Sequence, residues 1–387
     1  MKAIRIIPGT TEIELAEVKE PQINNSNEVK MKVLEVGICG TDKEEVAGGR
    51  AEAPAGEKKL IIGHEVLAEV VECGGSVTHL KKGDLVAVTV RRGCGHCNPC
   101  LMNRSDYCLD SDYKERGIKG LNGFQSEYVV DTVQNIIPIP KKARDYGVLT
   151  EPMAVVQKGI DAASRAELGR MSQLVDPASC FTGRRVLIAG LGPVGILAAL
   201  ALRLRGAEVV GLDVLDVASE NSQLLIKAGG SYLDGRQKNI AKALKVDSEP
   251  LKFIIDTTGS AKLEMDLISM LGHNGVYTIL GIPPKGVETL TPTADLIQKV
   301  VLKNLTIIGS VNDSRMHMVN AVRDLNLIAD RWGEAFIKRI ITHKFPYTDF
   351  SNALTKPHKG AIKSVRIVAP ELIIVFIKSA LIVFLGR

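Results

Sequence analysis

Between Arg185 and Gly195 four apolar residues run straight into a glycine-rich turn, Gly190-Leu191-Gly192-Pro193-Val194-Gly195. An alanine- and leucine-rich segment, Ile196 to Arg205, follows, and then a second apolar run from Glu208 that ends on Asp213. This order reads as strand, turn, helix, strand, acid. The first glycine permits the tight turn, the second lets backbone approach a pyrophosphate, and the third lets helix and strand pack closely. Free N–H groups at a helix start face phosphate charge. Asp213 follows the turn by about 20 residues, the spacing at which an acid hydrogen-bonds a ribose 2′-hydroxyl. The pattern predicts a dinucleotide site made of Gly190, Leu191, Gly192, Pro193, Val194, Gly195 and Asp213. The plain alternative is a tight strand-to-helix turn without a ligand.

A chain of 387 residues has room for two domains, and its 45% hydrophobic and 24% charged residues supply an ordinary globular core. Aromatics make up only 4%, and the net charge of +5 is small and dispersed, which argues against nucleic-acid and membrane partners. Residues Met1 to Ile7 read as a first strand broken at Pro8, with no secretory pattern. Four of the seven cysteines fall in one cluster, which favours metal binding in a reducing cytoplasm over a disulfide framework.

The first 150 or so residues carry short strand-like runs, such as Lys30 to Val36, Leu67 to Glu72 and Asp84 to Val90. Two motifs interrupt them, Gly37-Ile38-Cys39-Gly40-Thr41-Asp42 and Gly63-His64-Glu65, each placing a metal-competent side chain beside glycine in a loop. Alone, Cys39 reads as a small buried residue and His64 as a satisfied core histidine. Cys94, Cys97, Cys100 and Cys108 stand at C-x2-C-x2-C-x7-C spacing. Four thiolates so spaced surround one Zn²⁺ tetrahedrally and leave no open position, the signature of a structural site. An iron–sulfur cluster is the alternative. His96 lies inside the loop and reads as a bystander.

Proline after an acid in Glu151-Pro152 marks a helix start, with proline at the first helical position and the helix running toward Leu168. Met171 to Thr182 reads as a connecting loop. Apolar runs at Phe253 to Gly259, Gly275 to Gly281 and Leu305 to Gly309 suit parallel strands buried on both faces, and with the first two strands they predict a doubly wound sheet. The run Leu372 to Leu385 is nearly all apolar but carries Lys378 and is shorter than the ~20 residues of a membrane span. It reads as a buried tail or an oligomer contact.

Taken together, the Cys39 and His64 motifs, the four-cysteine loop, Glu151-Pro152 and the later glycine turn resemble the zinc-dependent medium-chain dehydrogenase/reductase superfamily, over the chain to about Pro370. Arg91-Arg92-Gly93-Cys94, Glu115-Arg116-Gly117-Ile118 and Ile307-Ile308-Gly309 with Val311-Asn312 look most like its archaeal and bacterial glucose dehydrogenases. The resemblance implies an α/β fold. A GroES-like β-rich catalytic domain would comprise residues 1–155 and 313–370, a Rossmann nucleotide domain 156–312, and an apolar tail 371–387. It implies a catalytic zinc at Cys39, His64 and Glu65, with Glu151 as a further ligand. Thr41 matches the hydroxyl residue beside the reacting alcohol, and Glu115 and Asn312 match sugar-contacting positions, as Glu151 does on the substrate side. Val90 stands where some glucose enzymes have Asn, and Val155 where some have Asp.

The expected reaction is oxidation of an aldose, D-glucose first, at C1. The expected cofactors are zinc and NAD, with NADP second, because a carboxylate at Asp213 repels a 2′-phosphate and no arginine follows it. A polyol or L-threonine dehydrogenase is the alternative within the superfamily, since sorbitol and threonine enzymes often place Glu at the Glu151 position. A non-enzymatic NAD-binding structural or regulatory protein is the alternative outside it. The resemblance further implies a cytoplasmic homo-oligomer, a dimer or tetramer.

Overall fold

The computed structural model describes residues 1–171, 176, 179–284, 286–287, 292–358 and 360–367. The apolar run at Leu372 to Leu385 and most of the stretch between Met171 and Ser179 lie outside the described residues.

The apolar runs of the middle third form a parallel six-stranded sheet. Arg185–Ala189 sits at its centre, with Glu208–Asp213 and then Ser231–Asp234 to one side, and Leu251–Asp256, Leu271–Ile279 and Thr306–Gly309 to the other. The central strands are buried on both faces, and their side chains divide between two cores, while the edge strands Ser231–Asp234 and Thr306–Gly309 are partly exposed. Val186 and Ile188 pack with Ile196, Leu197 and Leu200 of the helix Pro193–Leu204, while Leu187 and Ala189 pack with Ile254 and Tyr277 on the opposite face. Each fully buried Leu or Ile contributes roughly 1.5–3 kcal/mol. The connections reverse direction between Arg185–Ala189 and Leu251–Asp256, and a crevice opens at the carboxyl ends of strands wherever the winding switches like this.

A second, seven-stranded sheet gathers the front of the chain. Its order is Ile136–Ile139, Leu85–Val88, Glu65–Cys73, Glu28–Ile38, Lys363–Ile367 and Ile341–Pro346, with Tyr128–Thr132 also paired to Glu28–Ile38. Val29, Met31, Val33, Val66, Val70, Val86 and Val88 fill its core. The late strand Lys363–Ile367 pairs antiparallel with Glu28–Ile38, so the end of the described chain returns to the segment that delivers Cys39. The helices Thr150–Met171 and Arg315–Trp332 share one apolar core with the parallel sheet.

Two local expectations are corrected. The Cys39 motif is not a loop: Gly37 and Ile38 end a strand, and Gly40–Val46 is a helix capped by Cys39. The helix expected to start on proline starts at Thr150, with Glu151 and Pro152 as its second and third residues, and it continues to Met171. Proline is tolerated there because first-turn N–H groups have no partner within the helix.

Asp131 joins the second sheet to the four-cysteine segment. Its carboxylate accepts from Arg92 Nη2 at 2.5 Å, Arg116 Nε at 2.7 Å and Asn135 Nδ2 at 2.9 Å. Burial would raise its pKa, but the Arg116 and Arg92 guanidiniums outweigh that and hold it at about 2, against an ordinary 3.8. A depressed carboxylate stabilises the fold above its unfolded pKa and loses that contribution as pH falls through the folded value. Asp131 should therefore contribute about 2 kcal/mol at neutral pH and lose it between pH 4 and 2. Denaturant unfolding at pH 7 and pH 3 checks this: the drop should be about 1 kcal/mol smaller in Asp131→Asn than in wild type.

Candidate active site and metal centres

Strand Glu28–Ile38 ends where Cys39 caps the next helix in an extended conformation. The Cys39 sulfur accepts from the Thr41 N–H at 3.2 Å, and Asp42 Oδ2 accepts from the Cys39 N–H at 2.8 Å, a reciprocal cap that fixes the sulfur. The same Asp42 turns its Oδ1 to within 3.5 Å of His64 Nδ1. That orients the ring so that Nε2 lies 3.0 Å from Cys39 Sγ. Glu65 opens the neighbouring strand, and its Oε1 meets Lys363 Nζ at 2.5 Å. Its Oε2 is buried without a hydrogen-bond partner. Gly37 makes room for it, since a Cβ there would stand 2.0 Å from that oxygen.

The ligand atoms of Cys39, His64 and Glu65 lie within 4.8 Å of one another. Burial disfavours the charged His64 ring, but the Cys39 sulfur and Asp42 outweigh it and hold the pKa well above its ordinary value. Glu151, in the first turn of its helix, is not one of that group but lies near enough to feel the charges of Glu65 and His64. Burial first, and the Glu65 charge second, push its carboxyl up to about 7. A thiolate, an imidazole and a carboxylate are the donor set of a catalytic zinc with an open fourth position. Zinc-bound sulfur and nitrogen stand roughly 3.5 Å apart, so Cys39 and His64 need part by only about half an ångström. The unpartnered Glu65 oxygen fits a cation, and the residues present fit the metal.

The four clustered cysteines also converge within 4.8 Å of one another. Cys94 and Cys100 sulfurs are 4.0 Å apart, as are those of Cys97 and Cys108. Tetrahedral Zn–S bonds of about 2.3 Å place sulfurs roughly 3.8 Å apart, so four thiolates fit one zinc with little movement. N–H groups of Leu109 and Cys100 pull the Cys97 thiol down to about 6. Exposed His96 turns toward the Cys94 carbonyl at 3.1 Å and Asp110 at 3.4 Å, and ligand atoms of Cys94, His96 and Asp110 also lie within 4.8 Å of one another.

The glycine turn closes the parallel sheet's switch point. A Cβ on Gly195 would stand 1.9 Å from the Gly190 carbonyl oxygen, so the helix can begin only if that residue is glycine. Gly192, the cap of the helix, faces open space, as a phosphate approach requires. Pro193 follows at the first helical position, while Leu191 and Val194 frame the turn. Asp213 Oδ2 accepts from the Leu191 N–H at 2.6 Å, and Oδ1 accepts from the Val214 N–H at 2.6 Å. The carboxylate is thus braced on the turn with lone pairs left for ribose hydroxyls.

Glu115 lies on a short strand paired with Arg91–Arg92, and its Oε1 accepts from Arg91 Nε at 3.1 Å. The Arg91 guanidinium in turn covers the Tyr113 ring at 3.6 Å. Asn312 adopts a left-handed conformation with φ of 50°, and both polar atoms of its side chain are buried without partners. Val90 is buried beside this region. Sequence reasoning missed Asp42 and Lys363. Asp42 was legible, because Cys39 and Asp42 stand at cap-box spacing. Lys363 was not, since it meets Glu65 from 298 residues away.

Comparisons with known proteins point to one family. The family profile "Glucose dehydrogenase C-terminus" matches residues 144–367, and "Alcohol dehydrogenase GroES-like domain" matches residues 25–141. The chain is similar to glucose 1-dehydrogenase of Methanocella arvoryzae, 36% identical over 86% of this chain and 90% of that one. It is similar to glucose 1-dehydrogenase 1 of Caldivirga maquilingensis, 34% identical over 96% and 99%. Among solved structures it resembles Haloferax mediterranei glucose dehydrogenase in complex with NADP, Zn and gluconolactone. That match has a TM-score of 0.83 and 26% identity, covering 96% of this chain and 100% of that one.

Two outcomes check the metal and turn assignments. Purified protein should carry two zinc ions per chain by elemental analysis, and Cys100→Ser should carry one. Gly195→Ala should weaken NAD binding by at least ~10-fold in a fluorescence titration, because the turn must open to admit a methyl group.

Proposed function

The chain belongs to the glucose dehydrogenase family of zinc-dependent medium-chain dehydrogenases, and on that footing we propose that it oxidises an aldose, D-glucose first, at C1. The net reaction takes the sugar and NAD(P)⁺ to the lactone, NAD(P)H and a proton. The observation that carries the reading is the meeting of Cys39 Sγ, His64 Nε2 and an unpartnered Glu65 oxygen in one buried cluster.

Zinc bound at Cys39, His64 and a carboxylate supplies Lewis acidity that brings a sugar hydroxyl pKa toward neutral. The protein's own groups do the rest. Asp42 holds His64 with Nε2 toward the ligand cluster, and Lys363 holds one oxygen of Glu65. Thr41, two residues past Cys39, accepts the hydroxyl proton and relays it outward. Glu115 and Asn312 hydrogen-bond the remaining sugar hydroxyls, and Glu151 lines the substrate side of the metal. The turn from Gly190 to Gly195 holds the pyrophosphate, and Asp213 the ribose.

NAD is the preferred cofactor, because the Asp213 carboxylate, held against the glycine turn, would repel a 2′-phosphate and no arginine follows it. The Haloferax relative is instead described with NADP. A polyol or L-threonine substrate is the second reading, supported by the acid at Glu151, which feels the charges of Glu65 and His64. A purely structural NAD-binding role is disfavoured, since it has no use for a metal site with an open position. The residue ranges 1–155 with 313–370, and 156–312, are read as the two domains, supported by the return of Lys363–Ile367 to the front sheet. No helix among the described residues is long and apolar enough to cross a membrane. A cytoplasmic homo-oligomer, dimer or tetramer, completes the reading.

Turnover on glucose, galactose, xylose, sorbitol and threonine with NAD and NADP tests the substrate, and activity confined to threonine would sink the sugar assignment. Cys39→Ala should lose at least ~10²-fold in kcat while NAD still binds. Asp213→Ala should shift the NADP-to-NAD ratio of kcat/KM by at least ~10-fold toward NADP.

A further inference from the structure

Lys158 lies on the long helix, two turns past Glu151, and is only 2% exposed. Its ammonium has three hydrogens and three acceptors. It donates to Asp106 Oδ2 at 3.0 Å, to the Asp106 carbonyl at 3.3 Å and to the Val311 carbonyl at 2.9 Å. The Tyr107 ring closes the fourth side at 4.2 Å from Nζ. Asp106 belongs to the short turn Ser105–Tyr107, immediately before Cys108 of the sulfur cluster. Arg104 grips the same carboxylate in a two-pronged pair at 2.9 and 2.8 Å. Val311 belongs to the loop that leaves the last strand of the parallel sheet at Gly309. One buried cation therefore ties its own helix to two segments that are 52 and 153 residues away along the chain.

The loop it holds is unusual. Asn312 sits in a left-handed conformation, which persists only where surrounding structure enforces it. Both polar side-chain atoms of Asn312 and both carboxylate oxygens of Asp313 are buried with no partner. Asp313 lies near enough to Glu151 and Lys158 to feel their charges.

We infer that Lys158 is a positioning residue that fixes the Ser310–Asp313 loop against the four-cysteine segment and so sets where Asn312 meets the substrate. The last part rests on the reading of Asn312 as a sugar contact. The link itself does not. It makes the sulfur cluster a support for the substrate loop as well as for its own segment.

Hydrogen–deuterium exchange on the zinc-loaded full chain tests the link without any substrate. Lys158→Met should speed amide exchange across residues 310–314 by at least ~10-fold while strands Arg185–Ala189 and Leu251–Asp256 keep their protection. Asp106→Asn reads the same contact from the other side should the first variant fold poorly. Unchanged exchange over 310–314 in either folded variant overturns the inference. In the kinetic arm, sugar KM should rise roughly 10- to 100-fold, with NADH affinity and zinc content unchanged. The double variant should lose less than the sum of the two single variants, because both changes break the Lys158–Asp106 contact. Fully additive losses, or a kcat loss at unchanged KM, would also overturn it. Should the wild type oxidise no sugar, the functional reading falls while the exchange experiment still decides the link.

Discussion

The buried pair between Glu65 and Lys363 is the contact on which the arrangement turns. Both side chains are almost wholly out of water, at 2% and 1% exposure. Neither charge would be stable there without the other, and removing one partner of such a pair typically costs about 3–5 kcal/mol. The pair forms only when the late strand Lys363–Ile367 has docked beside Glu28–Ile38. Completion of the front sheet and orientation of the Glu65 carboxylate are thus one event. The second oxygen of Glu65 is left without a partner, and Gly37 is left without a side chain so that it fits.

The parallel sheet solves a different problem by the same economy of parts. Its central strand must hand the chain to a helix within a few residues and still leave backbone N–H groups facing outward. Contact between Gly195 and the Gly190 carbonyl compresses the turn, and Asp213 then braces it from the adjacent strand. The acid expected to read a ribose also holds the turn expected to read the phosphates. Front and middle of the chain meet where the helix Thr150–Met171 starts, at Glu151 beside the metal cluster, and from there the helix packs along the parallel sheet.

Much of this was legible in the sequence because the signals are local. The glycine turn, the strand runs and the cysteine spacing each fall within a few dozen residues and have one favoured geometry. The Cys39 segment was misread as a loop because glycine at position 40 reads as a breaker, whereas Cys39 serves as the cap that starts a helix. The Glu151 helix was placed two residues late because proline was taken as the first helical residue. Long-range pairings carried no signal at all. Nothing near Lys363, Lys158 or Arg116 in the sequence announces that each will be buried against a particular acid. Such partners are selected by the completed fold, and only the glycines that make space for them leave a local trace.

Cys39 ends a strand, starts a helix and offers its sulfur to the metal cluster, all through one side-chain atom. The residue types that begin helices well are aspartate, asparagine and serine. Aspartate is also a good ligand for hard cations. At this position, then, the vocabulary of folding overlaps the vocabulary of coordination chemistry. A lineage could trade sulfur for oxygen here, and retune which ion it prefers, without asking the surrounding architecture to change.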